Sequence, residues 1–175
     1  NIKAKKIIAQ SLKLYPRNLL LNQIQYNIEN KNYISEFDCR DLSHVVAEIL
    51  YIAANALSSQ YIYNFSNFYL NLSKYLNTDF HSFDTLFAEN FYKEDNYDES
   101  KKIYERISKK GQIYYWYSAK QIAKILIQQG EEDEALDTLS RAYKKINNKT
   151  IYQKYDYAKF LKAAEKYNKS IKLYS

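Results

Sequence analysis

Glycine and proline are nearly missing, with two glycines and one proline in 175 residues. A turn-rich β-sandwich needs many more of both, so the scarcity points to helices joined by short turns. The single cysteine, Cys39, excludes an internal disulfide framework and leaves the redox compartment open. No window approaches the roughly 18 uninterrupted apolar residues of a membrane span, so no membrane insertion is expected, and the start lacks the charged-then-apolar layout of a signal peptide. Methionine is absent altogether. A chain that starts at Asn1 without one is expected to be a processed or excised piece, with any targeting segment removed. Its compartment, cytoplasmic or periplasmic, is therefore left open.

Acidic charge is short in one part only. Residues 1–100 carry 9 Lys/Arg against 12 Asp/Glu, whereas 101–175 carry 17 against 8. The second part is electropositive and favours an acidic partner there. What the chain has in abundance is tyrosine, 20 residues against eight phenylalanines. With the wealth of Asn, Lys and Ile, this looks like the codon usage of an AT-rich genome, and buried tyrosines still supply large apolar rings to a core.

Ala4 to Leu14 has helical spacing and is closed by Pro16; Asn18 to Asn30 makes another helix with a stripe of Leu20, Leu21, Ile24 and Ile28. Periodicity then lapses from Lys31 to Ser43, a long connection with Ser43 as the expected N-cap of the next helix. From Val45 onward a pattern recurs. Ala54, Ala88, Ala123 and Ala158 lie 34, 35 and 35 residues apart, and the small residues Ser66, Ser100, Ala135 and Ser170 keep the same intervals. Small side chains let two antiparallel helices approach closely where they cross, and the large neighbours Leu57, Phe91, Leu126 and Leu161 fill the space beside them. The acidic runs at 94–99 and 131–134 fall where the second helices begin, at the positive end of the helix dipole.

Large and small residues in this order resemble the tetratricopeptide repeat family, in a bacterial type. The copies read Leu50, Ala53-Ala54, Leu57; Asp84, Phe87-Ala88, Phe91; Ala119, Ile122-Ala123, Leu126; and Lys154, Tyr157-Ala158, Leu161. Asp84 and Lys154 replace the large first residue. The fold this resemblance implies is all-α: a right-handed α-α superhelix, a helical-repeat solenoid of antiparallel helix pairs in one domain over residues 1–175. Its parts are a half-repeat at 1–17, an irregular helix plus linker at 18–42, and repeats at 43–79, 80–114, 115–149 and 150–175, the last truncated.

The resemblance also implies where a ligand lies, because the first helices of successive pairs line a concave groove. Carried over copy by copy, the groove residues are Tyr51 and Asn55; Thr85, Glu89 and Tyr92; Tyr117, Lys120 and Lys124; and Tyr152, Tyr155, Lys159 and Lys162. This surface runs from neutral or acidic to basic and tyrosine-rich, which suits a peptide or partner protein carrying acidic residues. The carboxylate clamp of chaperone-binding members is not expected: Asn55 matches it, but Tyr51 stands in place of the first lysine and Leu86 in place of the next Asn.

Chemistry-bearing clusters are sparse. Cys39, Asp41, His44 and Glu48 share a short stretch that could be sketched as a metal site or a thiol–imidazole pair, and His81 lies between Asp79 and Asp84, but spacing alone is a weak signal and both read as surface residues. There is no Gly-rich phosphate loop, no paired-cysteine zinc spacing and no nucleophile elbow. The expectation is a non-enzymatic interaction scaffold with no cofactor and no metal. Two alternatives stand beside it. One is an RNA-binding helical repeat, suggested by the 35-residue period, Lys110-Gly111 and the basic second part, although nucleic acid is disfavoured because the polar pairs that would read bases do not recur. The other is a structural module that homo-oligomerises through its C-terminal helix.

Overall fold

The computed structural model describes residues 2–32 and 36–174. Residues 33–35 of the expected long connection, and both terminal residues, lie outside the described residues. The described residues form ten α-helices: α1 Ile2–Leu14, α2 Leu19–Glu29, α3 Leu42–Ser59, α4 Tyr63–Leu76, α5 Ser82–Lys93, α6 Tyr97–Ile107, α7 Gln112–Gln128, α8 Glu132–Lys145, α9 Ile151–Ala163 and α10 Tyr167–Tyr174. A 3-10 turn at Ser108–Lys110 follows α6. No strand occurs among the described residues. Consecutive helices pack in pairs, α3 with α4, α5 with α6, α7 with α8, and α9 with α10. The chain divides into two compact units, one made of residues 1–26 and 111–175, the other of residues 27–110.

Each pair is built on one local plan. Ala54, Ala88, Ala123 and Ala158 are fully buried, and so are Ser66, Ser100 and Ala135, with Ser170 nearly so. At three of the four crossings the serine does more than stay small. The hydroxyls of Ser66, Ser100 and Ser170 each donate to the carbonyl of the alanine 12 residues earlier, Ala54, Ala88 and Ala158, at 2.8 Å. Ala135 has no hydroxyl, so the α7–α8 crossing is purely apolar.

The turns inside the pairs recur as well. Tyr61, Asp95, Gly130 and Glu165 all adopt left-handed backbone, with φ of 65°, 58°, 82° and 58°. The next residue's N–H closes back on the helix each time: Ile62 on Leu57 O, Asn96 on Phe91 O, Glu131 on Leu126 O and Lys166 on Leu161 O. This is the Schellman arrangement, which satisfies carbonyls left open at a helix end. Only one of the four positions is glycine, so the motif is carried mostly by residues that tolerate φ > 0 at a cost.

Helix starts follow their charge. α6 and α8 open with Asp98 and Glu99, and with Glu132, Asp133 and Glu134. The N-cap of α3 is Asp41, not Ser43: the helix begins two residues earlier than periodicity indicated, and the Asp41 carboxylate accepts from the Ser43 N–H at 2.8 Å. Asp84, which stands where a large residue is expected, pairs with Lys74 of α4.

The cores of the two units differ in kind. In residues 27–110 the α3, α4 and α5 helices meet at Asn90, which is fully buried. Ser58 Oγ donates to Asn90 Oδ1 at 2.6 Å, and Asn90 Nδ2 donates to Ser66 Oγ and Asn67 Oδ1, each at 2.8 Å. In the other unit the core is apolar around Trp116, Leu126, Leu139, Ala142 and Ile146, with Tyr143 and Tyr157 stacked at 4.2 Å beside it.

Candidate functional site

In the unit of residues 1–26 and 111–175 a concavity is built outward from Pro16. Proline ends α1, and the turn after it is held from both sides. Asn18 Oδ1 accepts from Leu21 N–H at 2.9 Å, and Asn22 Nδ2 donates to the carbonyls of Pro16 at 3.0 Å and Asn18 at 2.7 Å. Arg17 is presented at the tip of that turn.

α2 is fastened to the start of α7. Gln23 Oε1 accepts from Ile113 N–H at 3.1 Å, and Gln23 is 1% exposed. Gly111 makes this approach possible, since a Cβ there would lie 2.3 Å from Gln23 Nε2, and its φ of 153° already disfavours a side chain. At the start of α9 a capping box, Thr150 with Gln153, fixes the first turn, with bonds of 2.9 and 3.2 Å.

Between these anchored starts lies a cavity of about 140 Å³, walled by Leu19, Ile113, Trp116, Tyr117, Lys120 and Tyr152 among others. Asp156 is its electrostatic centre. Arg17 Nη1 reaches Asp156 Oδ1 at 2.9 Å, Lys120 Nζ reaches Oδ2 at 2.6 Å, and the Arg17 guanidinium lies 5.2 Å from the centre of the Tyr152 ring. Burial alone would push the Asp156 carboxyl up, but the hydrogen bonds from Lys120 and Arg17 outweigh it and hold it below its ordinary value of 3.8. Two cations on one carboxylate leave a net positive charge against aromatic walls. Trp116 is 4% exposed, and its indole N–H has no hydrogen-bond partner. A wider cleft of about 480 Å³, lined by Leu12, Lys13, Gln25 and Ile151, adjoins the cavity across Pro16, Asn22 and Tyr152.

Of the seven groove residues expected on α7 and α9, Tyr117, Lys120 and Tyr152 meet at this cavity. Lys124, Tyr155, Lys159 and Lys162 are exposed and line neither concavity, and the Tyr155 ring lies edge-on to Tyr174 of α10 at 5.8 Å. In the other unit the expected residues are dispersed. Tyr51 is half-buried in an aromatic cluster with Phe80 and Phe83, at 6.0 and 5.4 Å, and burial raises its hydroxyl's pKa, helped by the Glu48 and Glu89 charges. Asn55 and Glu89 are exposed, Thr85 donates to the Ser82 carbonyl, and the Tyr92 ring packs on Tyr97 at 5.7 Å.

Arg17, Asp156 and Trp116 are the site residues that sequence reasoning missed. Arg17 precedes the recurring pattern, and nothing local marks it as the partner of a residue 139 positions away. Of the sparse titratable clusters, His44 Nδ1 accepts from the Asp38 N–H at 3.1 Å, closing the loop before α3. His81 is buried at the start of α5, and burial, with the Lys110 charge, lowers its pKa. Among the described residues no three His, Cys, Asp or Glu side chains gather to hold a metal ion. Compared with protein-family models, the chain matches none, and compared with curated proteins it has no significant match.

Proposed function

We propose that this chain is a non-enzymatic interaction scaffold of tetratricopeptide type, its helix pairs stacked as a superhelical solenoid, that binds an acidic peptide segment of a partner protein at the α7–α9 cleft. The observation that carries the reading is the convergence of Tyr117, Lys120 and Tyr152, with Arg17 and Asp156, around the 140 Å³ cavity. The serine-to-carbonyl bonds at three crossings and the recurring left-handed turns support the repeat assignment.

Rigid rings supply contact area at little entropic cost, and a carboxylate arriving in the cleft competes with Asp156 for Lys120 and Arg17. The protein does not insert into membranes on this reading. α3 has 18 residues with a mean hydropathy of 1.2, enough to cross a membrane by length and composition alone, and only 11% of the stretch is buried; it pairs with α4, where Ser66 donates to the Ala54 carbonyl.

Fluorescence anisotropy with acidic, neutral and basic peptides of equal length tests the proposal. Acidic peptides bind best, Lys120→Glu and Tyr152→Ala weaken them by about tenfold or more, and Asp156→Asn, which frees both cations, tightens them. Equal binding of all three peptides, or no response to Lys120→Glu, sinks the reading. Binding of single-stranded RNA at low salt that fades steeply as salt rises would replace it with the nucleic-acid alternative.

A further inference from the structure

The α3–α4 pair has a second apolar face. On α3, Leu42, Val46 and Ile49 continue to Ala53 and Ala56 in alternating steps of four and three. On α4, Phe65, Phe68, Leu72 and Tyr75 step by three, four and three. Alternation of this kind is the signature of a seam that receives another helix. Yet Leu42, Ile49, Phe65 and Tyr75 are 75%, 59%, 64% and 84% exposed.

The side that meets α5 is different. Tyr51 and Ser58 reach Phe83 and Asn90, and Asn67 and Lys74 reach Asn90 and Asp84. At about 100° per residue, Ile49 and Phe65 lie roughly half a turn from those contacts. The pair is therefore buried on one side and bare on the other.

Size and charge decide what covers the bare side. At roughly 150–250 Å² for a fully exposed ring and somewhat less for an aliphatic chain, the exposed fractions of Leu42, Val46, Ile49, Phe65, Phe68, Leu72 and Tyr75 sum to roughly 800 Å². The largest apolar patch on a typical monomer is about 300–600 Å², whereas a standard interface takes about 800 Å² from each partner. Charge is almost absent: between Leu42 and Leu76 only Glu48 and Lys74 are ionised. Lys74 is turned to Asp84, and Glu48 is half-buried, its carboxyl pushed up by that burial.

A neutral patch offers nothing to a charged partner. It is suited to its own copy, because a surface with almost no charge brings no like charges together across a twofold axis. A lipid surface fits less well, since interfacial helices carry Lys and Arg along their polar face and this pair has almost none. The C-terminal pair is also a poor match, with six lysines and two acidic residues between 150 and 174 and only the half-buried Glu48 to meet them on α3–α4.

From this bare, uncharged seam we infer that the chain forms a twofold-symmetric homodimer, the α3–α4 face of one copy packing on the same face of a second. The contact does not involve the α7–α9 cleft, so it stands or falls separately from peptide binding.

Sedimentation equilibrium on the full chain, together with the charged variants Ile49→Lys/Phe65→Lys and Ile49→Glu/Phe65→Glu, tests the inference. The unaltered chain is dimeric, each charged variant keeps its helical circular dichroism and dissociates at least about 100-fold more readily, and an equimolar mixture of the two variants regains dimer. Four outcomes overturn it: a monomer up to about 1 mM, where a standard interface is populated; a dimer indifferent to both variants, which puts the contact elsewhere; a monomer whose α3–α4 amides are protected from exchange by its own chain; and a monomer recruited to anionic vesicles in proportion to the apolar face.

Discussion

Residues 90 and 125 hold the same place in successive copies of the pattern, one in each unit, and they solve the packing problem in opposite ways. Asn90 is fully buried and ties three helices with hydrogen bonds through Ser58, Ser66 and Asn67. Ile125 is equally buried and has no polar side-chain atom to satisfy. At the crossings the contrast is narrower: Ser66 and Ser100 donate to carbonyls in one unit, as Ser170 does in the other, and only Ala135 has nothing to donate. It is reversed outside. The unit with the polar core exposes the uncharged α3–α4 face, and the unit with the apolar core carries the Arg17–Asp156–Lys120 cluster at its cleft. Polar groups within a core specify geometry when every one is satisfied, whereas apolar packing tolerates exchange of similar volumes.

The largest effect that breaks the contrast is expected at those two positions. Asn90→Ala strands the partners of a buried amide and lowers stability by about 2–4 kcal/mol, and Ile125→Asn, an amide with no partners, costs about 3 kcal/mol or more. Urea unfolding followed by circular dichroism measures both; a loss below about 1 kcal/mol for Asn90→Ala would show the network to be incidental.

Next comes Asp156→Asn, expected to cost about 1–2 kcal/mol at neutral pH, mostly through Lys120, because half-exposed Arg17 is screened by solvent. Since the Asp156 carboxyl titrates below 3.8 in the folded chain, its contribution is complete above that value and is lost as the pH falls through the folded one. Thermal midpoints taken from neutral pH down to about 3 should show an acid limb flatter in the variant than in the parent chain.

Ser100→Ala removes one interhelical hydrogen bond and costs about 1 kcal/mol, while Ala135→Ser, which supplies the missing one, stays within about 0.5 kcal/mol of the parent. Equal losses in both variants would mean that size alone governs the crossing. The smallest pair concerns the turns. Glu165→Gly relieves left-handed strain and gains about 0.5–1 kcal/mol, and Gly130→Ala, with open space around it, loses about 1 kcal/mol through its φ of 82° alone. Denaturant midpoints that moved in the same direction for both would refute the strain argument.

Legibility followed range. The helix at Ala4 to Leu14, the acidic starts of α6 and α8 and the small residues at each crossing are written locally, in apolar spacing and in the needs of helix ends. Ser43 as the N-cap failed by two residues because Asp41, an equally good cap, lies just upstream. The half-burial of the Tyr51 ring against Phe80, in the turn before α5, and Phe83, in its first turn, is not legible in the helical pattern, because it depends on how α3 and α5 pack.

By itself the sequence determined the helical class and which small residues sit at the crossings of the pairs, because each depends on neighbours within a turn or on a period repeated along the chain. Only the tertiary structure decided that Arg17 meets Asp156 and Tyr152, that Lys120 reaches the same carboxylate 36 residues on, and that Asn90 binds two helices other than its own. Those contacts join residues far apart in the chain, and which distant side chains meet is set by how whole helices pack rather than by any pattern within one of them.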